Sequence, residues 1–335
     1  MDINKLEEII KGHKKFVITT HANPDGDAIG SVIGFYHLLK SYGKEGKIIS
    51  HSPLPEYLLF ADTGNLLEWY SPGKHDEFIS QAGVVVCLDF NNISRIHSME
   101  QAVRASSAMK ICIDHHQLPE DVFEWIYSDT LASSTCELVY RVIKAMNPNA
   151  FNKDAVQALY LGLVTDTGSF RFDRTTPEVH RMAADLIELG ADMMLVTRNI
   201  YETGTLGRMK AIGEMITTMQ IYGDKSEIAV IHITRDMLNR YGMSPEDTEG
   251  FEQYMMMINT VKVGVKIVDL KEGFKSSLRS KGAAEVHLIA RKFGGGGHKN
   301  AAGIPKLFTP VDSFITEIVG EIKKYLSESK NEENQ

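Results

Sequence analysis

His21, Asp25 and Asp27 fall within the seven residues His21-Ala22-Asn23-Pro24-Asp25-Gly26-Asp27. Asn-Pro and Asp-Gly are turn-forming pairs and Asp27 could cap a helix, so a polar turn is the plainest account of the segment. That account leaves a charge problem. Two carboxylates crowded together, once partly buried, need a cation to stay ionised. Further acids recur along the chain: Asp89, Asp114 followed by His115 and His116, and Asp166. One Asp at a strand end is commonplace, but four such positions on one edge are hard to explain as solvated loops. Carboxylate oxygens with a minority of imidazoles and no thiolate suit Mn²⁺ or Mg²⁺ better than a structural zinc or copper centre. Two such ions can share one bridging carboxylate.

The elements that must position these groups are legible in the first half of the chain. Apolar or β-branched runs at Lys15–His21, Gly83–Asp89, Met109–His115 and Trp125–Ser128 predict short strands. Between them, Ile29–Ser41, Ser133–Ala145 and Lys153–Val164 predict helices. Strands alternating with helices indicate an α/β fold with a doubly wound, mostly parallel sheet, in which ligands bind beyond the carboxyl ends of the strands. The candidate ligands stand at those ends.

At 335 residues the chain is long enough for about two domains. The texture changes after about Gly190, and a linker helix is expected within residues 196–221. Strands are then expected at Ile228–Ile233, Val261–Asp269 and Phe274–Arg279, with helices at Glu246–Ile258, Ala283–Lys292 and Val311–Leu326. They describe a second, smaller α/β domain over residues 222–330. The Met255-Met256-Met257 run reads as core filling. Ser327–Gln335 is polar and is expected to be frayed.

Composition narrows the function. Thirty-six Lys and Arg against 44 Asp and Glu give a net charge of −8, which opposes avid non-specific binding to long nucleic acid. An anionic substrate therefore needs a local basic patch or bound metal. Arg279-Ser280-Lys281, Arg291-Lys292 and His298-Lys299 provide such a patch around Gly294-Gly295-Gly296-Gly297, whose backbone N–H groups can approach a phosphate closely. Arg171, shortly after Asp166, is a further candidate to reach substrate. Three cysteines without a C-x-x-C pair offer no disulfide framework or structural zinc site. No apolar stretch approaches the ~20 residues of a membrane span. The acidic N-terminus lacks a secretory pattern, so a cytoplasmic location is expected. No G-x-G-x-x-G follows the first strand, and neither a P-loop nor a G-x-S-x-G elbow occurs.

These motifs, in order, resemble those of the DHH-family phosphoesterases that carry a DHHA1 C-terminal domain. The resemblance runs through His21-x-x-x-Asp25-Gly26-Asp27, Asp89, Asp114-His115-His116, Thr165-Asp166-Thr167-Gly168 and Gly294 to Gly303, and so covers nearly the full length. It implies a DHH metal-binding catalytic domain over residues 1–195 and a DHHA1 substrate domain over 222–330, with the active site in the cleft between them. It also implies two Mn²⁺ ions, with Mg²⁺ an acceptable substitute. His21 and Asp25 would hold one ion and Asp27, His115 and Asp166 the other, with Asp89 bridging. Asp114 would orient an imidazole, and His116 would supply a proton or hydrogen bond to the phosphate. Arg279, Gly296, His298 and Asn300 would hold the nucleotide.

Within the family the compact layout is similar to the bifunctional oligoribonuclease and 3′-phosphoadenosine 5′-phosphate phosphatase group. The expected partners are therefore short single-stranded RNA and nucleotide bisphosphates as substrates, with a homodimer left open and no membrane. A phosphodiesterase acting on linear or cyclic dinucleotides would share every metal ligand and differ only in its pocket. A silent nucleotide-binding protein is disfavoured by the complete ligand set, and a polyphosphate or pyrophosphate hydrolase by the Gly-His loop.

Overall fold

The computed structural model describes residues 3–332; the side chains of His298 and of residues 329–332 lie outside that description. The chain forms two compact units that part between Thr203 and Gly204. Among the described residues no helix is long and apolar enough to cross a membrane.

The first unit is built on six parallel strands, β1 (Lys15–Thr19), β2 (Glu45–Ser50), β3 (Leu67–Trp69), β4 (Val84–Leu88), β5 (Met109–Asp114) and β6 (Trp125–Ser128), in the order β3-β2-β1-β4-β5-β6. Alternate residues feed two cores. Phe16, Ile18, Val84 and Val86 pack on one face with the helices Gly26–Ser41, Thr135–Met146 and Lys153–Asp166. Val17, Val85 and Cys87 pack on the other with Phe78 and Val103. This period of two, apolar on both faces, is what a doubly wound parallel sheet requires. β1 and β4 are neighbours whose next strands run to opposite sides of the sheet, which makes their carboxyl ends a topological switch point.

The expected strands end earlier than their apolar runs suggested, at Thr19 and Leu88, so that His21 and Asp89 stand in loops just beyond them. Sequence periodicity missed β2 and β3: β2 buries apolar residues only at Ile48 and Ile49, and β3 is three residues long and buries none.

The second unit holds a mixed sheet ordered β11-β12-β10-β9-β8-β7. Its strands are β7 (Gln220–Tyr222), β8 (Ile228–Ile233), β9 (Val263–Asp269), β10 (Phe274–Ser280), β11 (Gly296–His298) and β12 (Ala301–Leu307). Only β8 and β9 pair in parallel. Helices Val286–Lys292 and Val311–Glu332 cover one face, and Leu206–Thr218 covers the other. The last of these lies in the stretch expected as a linker helix, yet it buries Ala211, Ile212 and Met215 against Ile231 and Met255 of the second unit.

Three expectations here are corrected. The helix expected over Glu246–Ile258 is a 3₁₀ turn, Glu246–Thr248, and a short helix, Glu252–Met256, because Gly250 between them has φ +81°. Of the methionine run, Met255 is buried but Met257 is 78% exposed. The terminal helix runs on to Glu332, since buried turns through Ile315, Ile318 and Ile322 nucleate it and the polar Lys and Glu residues beyond can propagate it; residues 333–335 of the expected frayed tail lie outside the described residues.

Candidate metal centre

The six expected ligands come from four separate segments, and each is aimed by local structure. Asp25 caps the Gly26–Ser41 helix, its Oδ1 accepting from the N–H groups of Asp27 (3.1 Å) and Ala28 (3.0 Å). Asp27 is 1% exposed. Its Oδ2 accepts from Thr135 N–H at 2.7 Å and its Oδ1 from Cys136 N–H at 2.8 Å, so the first turn of the Thr135–Met146 helix holds the carboxylate by its amides. Asp89 has φ +64°, an unusual conformation for a residue with a side chain, and Thr135 Oγ1 donates to its Oδ1 at 3.0 Å. Strain of this kind concentrates at functional sites.

Asp166 is the last residue of the Lys153–Asp166 helix. Glycines let that helix pack closely. A Cβ at Gly30 would fall 2.3 Å from the carbonyl oxygen of Ala158, and one at Gly162 would fall 3.0 Å from Asp27 Cα. The approach brings Asp166 to the same cluster as Asp27 and puts the negative end of a helix dipole beside it.

The side chains form groups whose donor atoms lie within 4.8 Å of one another: His21, Asp25 and Asp89 in one, Asp27, His115 and Asp166 in another. Asp89 reaches both. Its Oδ2 is 3.4 Å from His21 Nε2, and its Oδ1 is 3.6 Å from His115 Nε2. His115 Nε2 is also 3.5 Å from Asp166 Oδ2. His21 Nδ1 sits 2.9 Å from the carbonyl of Ala22, and His115 Nδ1 sits 3.4 Å from that of Ala132. A carbonyl can only accept, so the proton belongs on Nδ1 and the Nε2 lone pair faces the carboxylates.

The electrostatics of the empty protein are unfavourable for these groups as charges. Burial, together with Asp89 and Asp25, raises the Asp27 carboxyl well above its usual range. Burial, with Asp25 and Asp166, does the same to Asp89. Burial followed by Asp27 and Asp25 pushes Asp166 up to about 8. His115 falls to about 4, through burial and then His116. Carboxylates that resist ionising alone, together with the His115 imidazole held neutral, match a site for divalent cations, which reverse the penalty on ionised oxygens. The donor set therefore fits a metal.

The remaining expected residues divide. Asp114 orients His116, not His115: its Oδ1 is 2.6 Å from His116 Nδ1, and its Oδ2 accepts the His116 backbone N–H at 3.1 Å. His116 lies 3.9 Å from Asp89 Oδ1 with its side chain 44% exposed. Arg171 donates from Nε to its own turn, at Gly168 O, 2.6 Å. Arg279 and Gly296 line a cavity of about 760 Å³ in the second unit, which also includes Lys266, Lys275 and Ser277. Within it, buried Lys266 pairs with buried Glu252 at 2.9 Å. The backbone of His298 belongs to β11, while its imidazole, expected at the nucleotide, lies outside the described side chains. Asn300 is turned toward Ser280, Gly282 and Ala284.

Sequence reasoning missed Thr135 and Cys136, which sit at a helix start and hold Asp27 across more than a hundred residues of chain. The signal was Ser133-Ser134-Thr135 before an apolar helical run, a capping pattern that says a helix begins but not what its amides bind. It also missed Arg174, an exposed cation that favours ionised Asp166 and disfavours protonated His115.

The model of the DHH family, N-terminal domain, matches residues 15–163. The chain is 28% identical over 315 residues to the bifunctional oligoribonuclease and PAP phosphatase NrnA of Thermus thermophilus, covering 92% of this chain and 90% of that one. It is 26% identical over 301 residues to the protein of the same name from Bacillus subtilis, covering 89% and 91%. A crystal structure of an exopolyphosphatase-related protein from Bacteroides fragilis aligns with a TM-score of 0.89 and 32% identity, over 99% of this chain and 97% of that one. With the ordered Asp and His motifs gathered at the switch point of a parallel sheet and this similarity along the whole length, the chain belongs to the DHH family of phosphoesterases.

Proposed function

We propose that the chain hydrolyses short oligoribonucleotides to mononucleotides and 3′-phosphoadenosine 5′-phosphate to AMP. The observation that carries this reading is Asp89, whose two oxygens face different His/Asp groups. Relatives similar over about nine-tenths of the chain bear both activities in their names. We assign His21 and Asp25 to one ion, Asp27, His115 and Asp166 to a second, and Asp89 to both. When bound there, two Mn²⁺ ions, or Mg²⁺ in their place, would supply positive charge to the phosphoryl oxygens and lower the pKa of the attacking water.

The chain's own residues do the rest. Asp114 fixes the ring of His116 through Nδ1, which leaves Nε2 for the substrate, and the doubly protonated ring donates from Nε2–H to a phosphoryl or leaving oxygen. Arg279 and Gly296, which line one cavity, take the nucleotide, Arg279 through charge-assisted hydrogen bonds, while the amides of Gly294 and Gly295 are already given to Arg291 O (3.1 Å) and Ala290 O (2.9 Å). A net charge of −8 repels phosphates outside this basic patch, so short strands are favoured.

The test is kcat/KM with added Mn²⁺ for RNAs of two to about twenty nucleotides, 3′-phosphoadenosine 5′-phosphate and cyclic dinucleotides. Efficiency is expected to peak at about two to five nucleotides, with AMP released from the bisphosphate. Efficiency that rises to the longest strand, or turnover of cyclic dinucleotides alone, overturns the assignment.

A further inference from the structure

Asn300 stands between β11 and β12, next to the glycine run, yet its side chain is committed within the protein. Nδ2 lies 2.9 Å from Ser280 Oγ, 3.2 Å from Gly282 O and 3.3 Å from Ala284 O. The two carbonyls can only accept. The hydroxyl of Ser280 donates its one hydrogen to Ala284 O at 2.6 Å, so toward Asn300 its oxygen also accepts. Three acceptors around one nitrogen fix which end of the amide is which, and two hydrogens shared among them leave no donor for a phosphate. The remaining atom, Oδ1, is an acceptor and has the wrong polarity for an anionic oxygen.

The backbone repeats the tie. Ser280 N–H donates to Asn300 O at 3.0 Å, and Val286 N–H donates to Lys299 O at 2.8 Å. Immediately beyond the clasp, Arg279 pairs with Ala301 in the sheet, and Ala301 pairs on its other side with His298. Arg279 itself donates from Nη1 to Leu278 O at 3.1 Å, which leaves other guanidinium hydrogens for a ligand.

We propose that Asn300 is a positioning residue: with Ser280 it clasps the end of β10 to the glycine-run segment, and it affects nucleotide binding only through Arg279 and that loop. The proposal rests on the nucleotide role assigned to Arg279 above. It reverses the direct contact expected for Asn300 from family resemblance, and it makes Ser280 a second member of the clasp.

The experiment is a double-mutant cycle on KM for a trinucleotide RNA, read beside amide hydrogen exchange at Ser280 and Val286. Asn300→Ala is expected to raise KM about three- to tenfold, the range for one or two net hydrogen bonds. Asn300→Asp keeps the shape but turns a carboxylate on three acceptors, so it should raise KM at least as much. In an Arg279→Ala background, Asn300→Ala should add less than about twofold, because its effect passes through the missing guanidinium. Exchange at Ser280 and Val286 should quicken in both Asn300 variants. Fully additive losses would restore Asn300 as a substrate contact, and an Asn300→Asp variant with wild-type KM would overturn the clasp. If the wild-type protein turns over no nucleotide substrate the proposed function fails, but exchange still decides the clasp, since unchanged protection in Asn300→Ala overturns it.

Discussion

Asp89 Oδ2 lies 3.4 Å from His21 Nε2, while the other oxygen of the same carboxylate turns to His115. One side chain thus serves both halves of the cluster. Asp89→Ala should therefore lower Mn²⁺ stoichiometry below two and reduce kcat/KM by at least about a thousandfold with the fold intact. A variant that binds two ions and turns over within a few-fold of wild type rules the bridge out.

Thr135 supports both central acids, Asp27 through its amide and Asp89 through its hydroxyl. Thr135→Val keeps the amide and the shape but removes the hydroxyl. Metal affinity should fall about 10- to 100-fold, the usual effect of losing a group that orients a ligand. Thr135→Ser should restore it. Titration of both variants by calorimetry is the check, and unchanged affinity in Thr135→Val places Asp89 under other control.

His116 is expected to leave metal binding intact and act on turnover. His116→Ala should lower kcat by about 10²–10⁴ while both ions still bind. Loss of metal in that variant would make His116 a ligand, consistent with its place in a third group with Asp89 and His115.

The raised acids predict the pH dependence of the metal-free protein. Asp166 is pushed up to about 8, and Asp27 and Asp89 are raised well above the usual range, so between about pH 4 and 8 the native state binds more protons than the unfolded state. Stability then falls as pH rises, by about 1.4 kcal/mol per pH unit for each extra proton held. His115, lowered to about 4 in the fold, works in the opposite sense only near and below about 6.5, where the unfolded imidazole takes up protons, and it is one group against three raised acids. The chelated protein should have a higher Tm at pH 6.5 than at pH 8.0, and saturating Mn²⁺ should abolish or reverse the order, since metal binds the deprotonated ligands. A metal-free Tm that rises toward pH 8.0 contradicts the buried-carboxylate account.

Arg279→Ala should weaken nucleotide substrates by about 1.5–3 kcal/mol, the range for a hydrogen bond to a charged group. A small generic phosphodiester, without a nucleotide for Arg279 to hold, should lose much less. Equal losses on both, measured as kcat/KM, would assign Arg279 to folding or to the metal centre.

Much of the site was legible because its code is local. A parallel strand announces itself by an apolar run, and the polar residue just past its end is marked as a ligand candidate, which is how His21, Asp89 and His115 could be named from spacing and family resemblance. The double winding was equally readable, since Val84–Leu88 and the three residues Ile111, Cys112 and Ile113 are apolar at consecutive positions and leave no polar face there.

What tertiary structure alone decided are pairings between distant segments. Local periodicity does not state that β1 stands between β2 and β4, that the amides of Thr135 and Cys136 close on Asp27, or that Asp114 grips His116. The glycine run looked like an open loop, yet Gly296–His298 forms an edge strand whose order comes from hydrogen bonds to β12 and not from side chains. Asn300 carries the same lesson. Its residue type and place beside the run suggest a ligand contact, but only the folded chain brings three acceptors to its amide and uses up its donors. Residue types and spacing determined which chemistry this protein has available. Which hydrogen bonds and charges each group keeps was decided by long-range packing, because a donor's free valence depends on neighbours that lie far away in sequence.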